Sequence, residues 1–254
     1  MRKSLMMMLV GLPLVAVAGP GVWTSGGPYG GIVYDLQFDP ATPTTIYASA
    51  GDGFFKTINR GASWARAQSG LVGRLYGQNF VIDADAPQTL YAFDSTNRLY
   101  RSSDGAQNWS LTGYAAPADT FITSITDVPG ISGQIFISLA VLTDSAGVPL
   151  PVTGTLVLRS NDAGASFVAA GTGLPSGLGF AQVRVDPTDA SRILAGTQTA
   201  FFPAPPATVY ALVFRSSDAG LTWTPVLTDP GITSVQPGMT ALSFGAGSTV
   251  YGLD

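Results

Sequence analysis

Short runs of alternating apolar and polar residues recur along the whole chain, and turn-forming residues separate them. Alternation with a period of two is typical of β-strands that bury one face. In the first unit the pattern predicts strands at Tyr34–Phe38, Thr45–Ser49 and Phe54–Thr57. Three more units repeat this succession, with predicted strands at Phe80–Asp83, Thr89–Phe93, Leu99–Ser102, Ile122–Thr126, Ile135–Leu139, Leu156–Ser160, Ala181–Val185, Ile193–Thr197 and Tyr210–Ser216. The chain is therefore predicted to be all-β.

An octapeptide, called the box below, follows the third strand of every unit. Its copies are TINRGASW at 57–64, SSDGAQNW at 102–109, SNDAGASF at 160–167 and SSDAGLTW at 216–223. The third position is an Asp or Asn that can accept backbone hydrogen bonds in its own turn, the fifth is a Gly that tolerates positive φ, and the eighth is a ring that begins the next strand. The residues with these structural roles are Asn59, Gly61, Trp64, Asp104, Trp109, Asp162, Gly164, Phe167, Asp218, Gly220 and Trp223. The second copy departs from the pattern, with Ala106 at the fifth position.

Four strands per unit with a box between the third and fourth predict the blade of a β-propeller. The boxes resemble the Asp-box, or BNR, repeats of sialidases, sortilin-type receptors, xyloglucanases and photosystem II assembly factors. This resemblance extends from about Trp23 to the end of the chain. It implies four complete antiparallel four-stranded blades, but it leaves the function open because the repeat occurs in enzymes, receptors and assembly factors alike.

The blade count predicted from the sequence is incomplete. Thr240–Phe244 and Thr249–Leu253 are predicted to be the first two strands of a fifth blade. Trp23 is predicted to lie in the last strand of a blade that has no box before it. We therefore expect a truncated propeller, the front part of a longer protein; the alternative is a small, imperfectly closed ring of five blades.

The first 18 residues are predicted to be a signal peptide, and residues 19–254 the propeller. Arg2 and Lys3 precede an apolar run at Leu5–Val17, and small residues end it at Ala18, the predicted cleavage point. We expect a secreted or periplasmic protein with no membrane insertion after cleavage. The alternative is a membrane anchor, although the run is shorter than the roughly 20 residues that span a bilayer.

Composition excludes several kinds of chemistry. The chain has no Cys and no His, which rules out disulfides, thiolate nucleophiles and Ser–His relays. Its net charge is −4 and no Lys/Arg cluster is present, so no nucleic-acid partner is predicted. No cofactor and no metal site are expected either. The carboxylates of Asp39, Asp83, Asp85 and Asp186 follow first strands and are interpreted as turn formers rather than calcium ligands.

Candidate ligand-binding residues are expected on the face opposite the boxes. The segment between the second strand and the box is about twice as long in the third and fourth units, where Leu142–Gly154 and Thr199–Thr208 are inserted. Phe201 and Phe202 lie in the second insertion, where exposed rings next to prolines suit a protein or glycan surface. The alternative is that these two rings pack over the edge of the blade.

One carboxylate is a candidate for catalysis. The stretch Tyr47–Lys56 resembles a first-blade segment of xyloglucanases, and this resemblance implies a catalytic role for Asp52. In those enzymes the partner Asp belongs to a second propeller. The alternative is that Asp52 simply forms a hairpin turn.

The residues of a sialidase site are less well matched. Arg101, Arg159 and Arg215 recur directly before boxes, as repeat positions do, and the early Arg-Ile-Pro element of sialidases is absent. We predict an exported, non-catalytic propeller that binds a protein or glycan partner. The alternative is a fragment of a glycoside hydrolase, xyloglucanase-like rather than sialidase-like.

Overall fold

The computed structural model describes residues 27, 31–75, 79–145, 150–197, 210–229, 241–244 and 250–253. Blade 1 contains β1 (Val33–Phe38), β2 (Ile46–Ala50), β3 (Gly53–Thr57) and β4 (Ala65–Arg66). Blade 2 contains β5 (Phe80–Ile82), β6 (Leu90–Phe93), β7 (Arg98–Ser102) and β8 (Ser110–Ala115). Blade 3 contains β9 (Thr120–Asp127), β10 (Ile135–Val141), β11 (Val157–Ser160) and β12 (Val168–Ala169). Blade 4 contains β13 (Phe180–Asp186), β14 (Asp189–Thr197), β15 (Tyr210–Ser216) and β16 (Thr224–Asp229), and a last pair contains β17 (Ala241–Phe244) and β18 (Val250–Leu253).

Each blade is one antiparallel sheet whose strands lie side by side in chain order. The all-β propeller fold predicted from the four-stranded units and their boxes is therefore confirmed, including the two strands that begin a fifth sheet. Strand ends shift by a few residues from the predicted bounds, most visibly at β14, which begins at Asp189 rather than at Ile193. Among the described residues no helix is long and apolar enough to cross a membrane. The predicted signal peptide, Trp23, Phe201 and Phe202 lie outside the described residues.

The second strands of blades 1 to 3 are buried on both of their faces. Every residue of β2, β6 and β10 is buried, whereas the first four residues of β14 are exposed or half-buried. Between blades 1 and 2, the ring of Phe54 meets Phe80 edge-on at 4.9 Å and Trp109 at 5.3 Å. Such edge-to-face pairs add to the free energy gained by burying the rings. The core of the molecule thus lies between blades.

Each box forms a corner that is held by the same hydrogen bonds. The hydroxyl of the first residue donates to the third, as Ser160 Oγ does to Asp162 Oδ1 at 2.7 Å, and it accepts the N–H of Gly164 at 2.9 Å. The Asp162 carboxylate accepts the N–H of Ser166 at 2.9 Å. The other three boxes repeat these bonds at 2.7–3.0 Å. The two side chains therefore accept two backbone N–H groups of the turn, and the N–H of the fourth residue donates to a carbonyl outside the box, as Ala163 does to Gly133 at 3.0 Å.

The fourth and fifth box positions both have positive φ. In the third box these are Ala163 at 60° and Gly164 at 83°. The sequence predicted this conformation only for the fifth position. The second box has Gly105 at 67° and the buried Ala106 at 66°. Its glycine is thus at the fourth position instead of the fifth, while the backbone conformation is the same. An alanine in this region costs about 1–2 kcal/mol, which the turn hydrogen bonds offset.

Hydrogen bonds hold the carboxylates of the boxes in their ionised form. Bonds from Asn108 lower the pKa of Asp104 to about 2, and bonds from Ser166 lower the pKa of Asp162 to about 2. Because an Asp in the unfolded chain titrates near 3.8, the stabilisation these groups provide is complete above that pH. It is lost as the pH falls toward 2.

In the second, third and fourth boxes the aromatic residue at the end contacts the preceding blade. The indole N–H of Trp109 donates to the carbonyl of Ala67 at 2.9 Å, and that of Trp223 donates to Ala170 at 2.5 Å. Phe167, which has no N–H, instead packs its ring on Tyr114 at 4.6 Å. Trp109 and Trp223 are each only 4% exposed, whereas Trp64 and Phe167 are half-buried. Ring burial is therefore less uniform than the repeat pattern predicts.

Three carboxylates meet where blades 2 and 3 touch. Asp83 accepts the hydroxyl of Ser132 at 2.8 Å, Asp85 accepts the N–H of Gly130 at 2.7 Å, and Asp127 accepts the N–H of Ala84 at 3.2 Å. Burial raises the pKa of Asp127 to about 6, and the charges of Asp83 and Asp85 act in the same direction. The ionised form of Asp127 is thus disfavoured in the folded protein.

Replacing Asp127 by Asn should flatten the pH dependence of stability between pH 4 and 7. The folded-state pKa lies above the unfolded value of 3.8, so the contribution of Asp127 is favourable below that value and is lost as the pH rises through about 6. Urea unfolding of both proteins at about pH 4.5 and about pH 7.5 measures this. We expect Asp127→Asn to gain stability relative to the unchanged protein at the higher pH; parallel profiles would contradict the assignment.

Replacing Trp109 by Phe should lower the free energy of unfolding by about 1 kcal/mol, because it removes the hydrogen bond to the Ala67 carbonyl while keeping a buried ring. Trp109→Ala should cost about 3–5 kcal/mol, since it also empties the space between blades 1 and 2. Chemical denaturation of the two variants separates these contributions. Equal losses in both would mean that the ring itself contributes little.

Candidate functional site

The turns between second and third strands, and the links between blades, lie at one end of the sheets. Antiparallel strands place them together, opposite the boxes and the turns between first and second strands. We call this end the loop face. Its described parts are the turns at 51–52 and 94–97, the segment 150–156 and the links at 67–75, 116–119 and 170–179.

Asp52 lies at the tip of the hairpin between β2 and β3, and its side chain is 54% exposed. Its carboxylate forms an ion pair with Arg66 on the outermost strand. The same guanidinium donates to the backbone carbonyl of Asp52 at 2.9 Å and lies over the ring of Phe55 at 5.4 Å. Asp52 is thus oriented by Arg66 but remains open to solvent.

A small cavity of about 160 Å³ borders Asp52 on the loop face. Its walls are the hairpin of blade 1 and the link between blades 1 and 2, and they include Gln68, Leu71, Val72 and Gly73. Val72 is 78% exposed. The cavity therefore offers a carboxylate and an amide next to apolar surface, a combination suited to a small polar ligand.

Asp94 occupies the corresponding turn of blade 2, but its side chain is fully buried. It accepts the hydroxyl of Thr96 at 2.7 Å, the guanidinium of Arg98 at 2.8–2.9 Å and the hydroxyl of Tyr100 at 3.0 Å. Burial acts to raise its pKa, but the bonds from Thr96 and Arg98 outweigh burial, and the pKa lies below its usual value. This carboxylate supports the loop and has no room for acid–base chemistry.

Asp94 also explains the shape of the link beside the cavity. A Cβ at Gly73 would lie 2.2–2.6 Å from the Asp94 carboxylate group, so only glycine fits there. The link consequently lies close against the blade 2 turn. Sequence reasoning missed Asp94; its signal is an Asp four residues before Arg98 at the end of a buried strand.

The recurring arginines and the first-strand acids lie away from the loop face. Arg101, Arg159 and Arg215 occupy equivalent positions opposite second-strand residues in three different blades, so the structure does not bring them together. The first-strand acids form turns at the box end: Asp39 accepts the N–H of Ala41 at 2.9 Å, and Asp186 likewise accepts that of Thr188 at 2.8 Å. The arginines therefore recur because the blade repeats, and the first-strand acids serve as turn formers.

A larger cavity of about 500 Å³ lies at the outer rim, beside the second box. Its lining includes Lys56, Trp64 and Gln107 but not Asp52. The Lys56 ammonium donates to the carbonyl of Gly105 at 2.9 Å, and burial lowers its pKa while Asp39 and Asp104 oppose that shift. Although this rim cavity is larger than the one beside Asp52, we do not take it as the functional site. Its ammonium group, on Lys56, already bonds to a carbonyl of blade 2 and so joins the two blades.

Comparisons with known proteins point to the propellers of xyloglucanases. No protein-family model matches the chain. A xyloglucanase of a Paenibacillus species is 26% identical over 196 residues, which cover 65% of this chain and 18% of that protein. The chain thus matches less than a fifth of the length of this relative. The resemblance to sialidases and sortilin-type receptors, and the identification of the boxes as BNR repeats, stay predictions.

Solved structures support the same fold. An ancestral GH74 enzyme aligns with a TM-score of 0.57 and 20% identity over 78% of this chain and 24% of its own. The GH74 xyloglucanase of Xanthomonas campestris aligns with a TM-score of 0.51 and 21% identity over 76% of this chain and 29% of its own. A structure of YCF48 bound to a D1 peptide has a TM-score of only 0.42, which is too low to support an inference. At these identities the similarity establishes the β-propeller fold.

The two loop-face aspartates should respond differently to replacement by alanine. Asp94→Ala leaves the buried Tyr100 hydroxyl and the turn amides without their acceptor, so we expect a loss of about 1–3 kcal/mol in the free energy of unfolding. Asp52→Ala breaks only an exposed ion pair, and we expect a change within about 0.5 kcal/mol. Urea unfolding of both variants tests this, and a large loss for Asp52→Ala would assign that residue a structural role.

Proposed function

We propose that this chain forms the glycan-binding propeller of a glycoside hydrolase that acts on a xyloglucan-type β-glucan, with Asp52 as one of two catalytic carboxylates. The observation that carries the proposal is the position of Asp52, a solvent-open carboxylate at the rim of a loop-face cavity. The sequence similarity to a xyloglucanase supports the choice of substrate class.

Glycoside hydrolysis needs one carboxyl group to protonate the leaving oxygen and a second to act as base or nucleophile. Asp52 is suited to the role of base or nucleophile, because its side chain reaches solvent and its ion pair with Arg66 is formed by the carboxylate. Asp94 is unsuited, since its oxygens are occupied by Thr96, Arg98 and Tyr100. The proposal therefore requires a partner carboxylate other than Asp94, held across a cleft from Asp52.

The surroundings of Asp52 suit a sugar chain. Leu71 and Val72 provide apolar surface on which the faces of sugar rings can pack. Gln68 and the backbone of 51–53 provide polar groups beside them. A glycan site typically combines apolar contact with a few polar groups that fix orientation.

A second candidate function is non-catalytic binding of a protein or glycan partner through the same loop face. The observation that favours it is the ion pair between Asp52 and Arg66, which gives the Asp52 carboxylate a purely structural partner. Under this alternative the carboxylate holds the hairpin and takes no part in chemistry.

Turnover of a xyloglucan oligosaccharide by a protein that carries both this propeller and the partner carboxylate, measured as released reducing ends, tests the proposal. We expect Asp52→Asn to lower turnover by about 100-fold or more, the usual effect of removing a general acid or base, and to change the dissociation constant less than about threefold. Asp189→Asn, at an exposed acid that begins β14 at the box end, is the matched control and should leave both quantities unchanged.

The outcomes separate the two candidates. Binding of the oligosaccharide without turnover in any variant would overturn the hydrolase and favour the non-catalytic alternative. Absence of both binding and turnover would contradict the glycan assignment altogether.

A further inference from the structure

The rim cavity of about 500 Å³ has the size of a ligand site, since pockets for small ligands usually measure about 300–1,000 Å³. One wall is the outermost part of blade 1, at 63–69, and the other is the second box, at 105–107. Lys56 and Thr57 at the end of β3 close its inner side. The cavity thus occupies the outer end of the groove between blades 1 and 2.

The equivalent groove between blades 3 and 4 is closed. There the N–H of Thr172 donates to the carbonyl of Leu221 in the fourth box at 3.0 Å. The residue before Thr172 is Gly171, and a Cβ on it would lie 2.2–2.3 Å from the carbonyl oxygens of Gly220 and Leu221. Only glycine at this position therefore lets the link touch the next box.

Gln68 occupies the position of this glycine in the link between blades 1 and 2, since each is the fourth residue after the ring that ends its box. The side-chain oxygen of Gln68 accepts the N–H of Phe54 at 3.1 Å, so the side chain lies inward against β3. No backbone hydrogen bond between the described residues joins Ser69 to Gln107, the pair that corresponds to the bonded pair at blades 3 and 4. The second box consequently stands away from blade 1, and the cavity opens between them.

The side chains on the blade 1 side of the groove are small. Ala65 lies opposite Lys56, whose ammonium reaches the second box, so Ala65 faces blade 2. Ala67, two residues further along, faces the same way. Ser69 is small as well, whereas its equivalent in blade 2 is Tyr114, whose ring fills part of the next groove. These small side chains leave room for a ligand.

Trp64 provides the aromatic part of the wall. It is half-buried, whereas Trp109 and Trp223 are each only 4% exposed. A Cβ at Gly61 would lie 3.7–4.0 Å from three atoms of the Trp64 indole, so the ring rests in ordinary contact against its own box. An indole held in this way offers a ligand a rigid apolar surface.

The polar groups of the walls suit a neutral ligand with hydroxyl groups. The described walls contain no carboxylate. Both cations already have partners, since Arg66 pairs with Asp52 and Lys56 donates to a carbonyl of blade 2. Gln107 is exposed, and its amide donates to a carbonyl of its own box at 3.0 Å, whereas the amide oxygen accepts no hydrogen bond from the described residues. Nothing in these walls demands a charged ligand.

We propose that the rim cavity is a second carbohydrate site, which binds a neutral sugar ring against Trp64 with hydrogen bonds to the Gln107 amide. Without a carboxylate in its described walls, the site binds a sugar and does not cleave it. The choice of a glucan as its ligand rests on the function proposed above, but the site requires no catalytic role for Asp52. Gln68 lines both cavities, which places the two sites on adjoining sides of one link.

Nuclear magnetic resonance of the full chain with ¹⁵N-labelled tryptophan tests this, with a xyloglucan oligosaccharide as the probe. The chain has four tryptophans, and Trp64→Phe identifies the Trp64 indole signal. We expect that signal to shift on titration, while the signals of Trp109 and Trp223 stay in place and report an intact fold. An unmoved Trp64 signal up to the solubility limit of the sugar would overturn the proposal.

Three variants place the ligand in the rim cavity. Ala65→Phe fills the groove and should abolish the Trp64 shift, whereas Val168→Phe, at the equivalent position of blade 3, should preserve it. Gln107→Ala should weaken binding by about three- to tenfold, the effect of losing one hydrogen bond at an exposed residue whose removal leaves the fold intact. A shift that survives Ala65→Phe, or an affinity that Gln107→Ala leaves unchanged, would contradict the proposed site.

Asp52→Asn separates this site from the loop-face site. We expect the Trp64 titration to be unchanged in this variant, because Asp52 does not line the rim cavity. Loss of the Trp64 shift in Asp52→Asn would assign the shift to the loop-face site and overturn the proposal. None of these results depends on turnover, so the rim site and the hydrolase can each fail while the other stands.

Discussion

The hydrogen bond from the first hydroxyl of each box to its third residue is the constraint on which the blades depend. It fixes the Asp or Asn so that the same side chain can also receive a backbone N–H four residues later, as Asp218 receives that of Thr222 at 2.8 Å. The turn then brings the third and fourth strands back side by side. With this corner set, the aromatic residue that follows is directed at the preceding blade, and the interior forms between sheets rather than within one.

The strands and corners were predictable because they depend on local sequence. Alternation predicts strands such as β1, and each box contains the side chains that hold its own turn. The contacts between blades were not predictable in this way. Nothing near Asp127 in the sequence indicates that burial raises its pKa or that Asp83 and Asp85 lie beside it, since those two residues belong to a different blade. The half-burial of Trp64 depends likewise on what lies against it.

The candidate site illustrates the same limit. Asp52 and Asp94 occupy corresponding turns and look alike in the sequence, yet one side chain is 54% exposed and the other is fully buried. The difference comes from the residues around them: Asp94 has Thr96, Arg98 and Tyr100 within hydrogen-bond reach, whereas Asp52 has the single exposed Arg66. Resemblance singled out Asp52, and geometry leaves it available for chemistry. Phe201 and Phe202 remain predictions from the sequence.

Hydrogen exchange at the corner amides tests the central claim most directly. The backbone N–H groups of Gly61, Ala106, Gly164 and Gly220 donate to the box hydroxyls at 2.8–3.0 Å. If these bonds hold the corner of each blade, the four amides exchange as slowly as the amides of the adjoining third strands, although the four lie in turns. Exchange at the rate of an unstructured peptide at these positions would contradict the account.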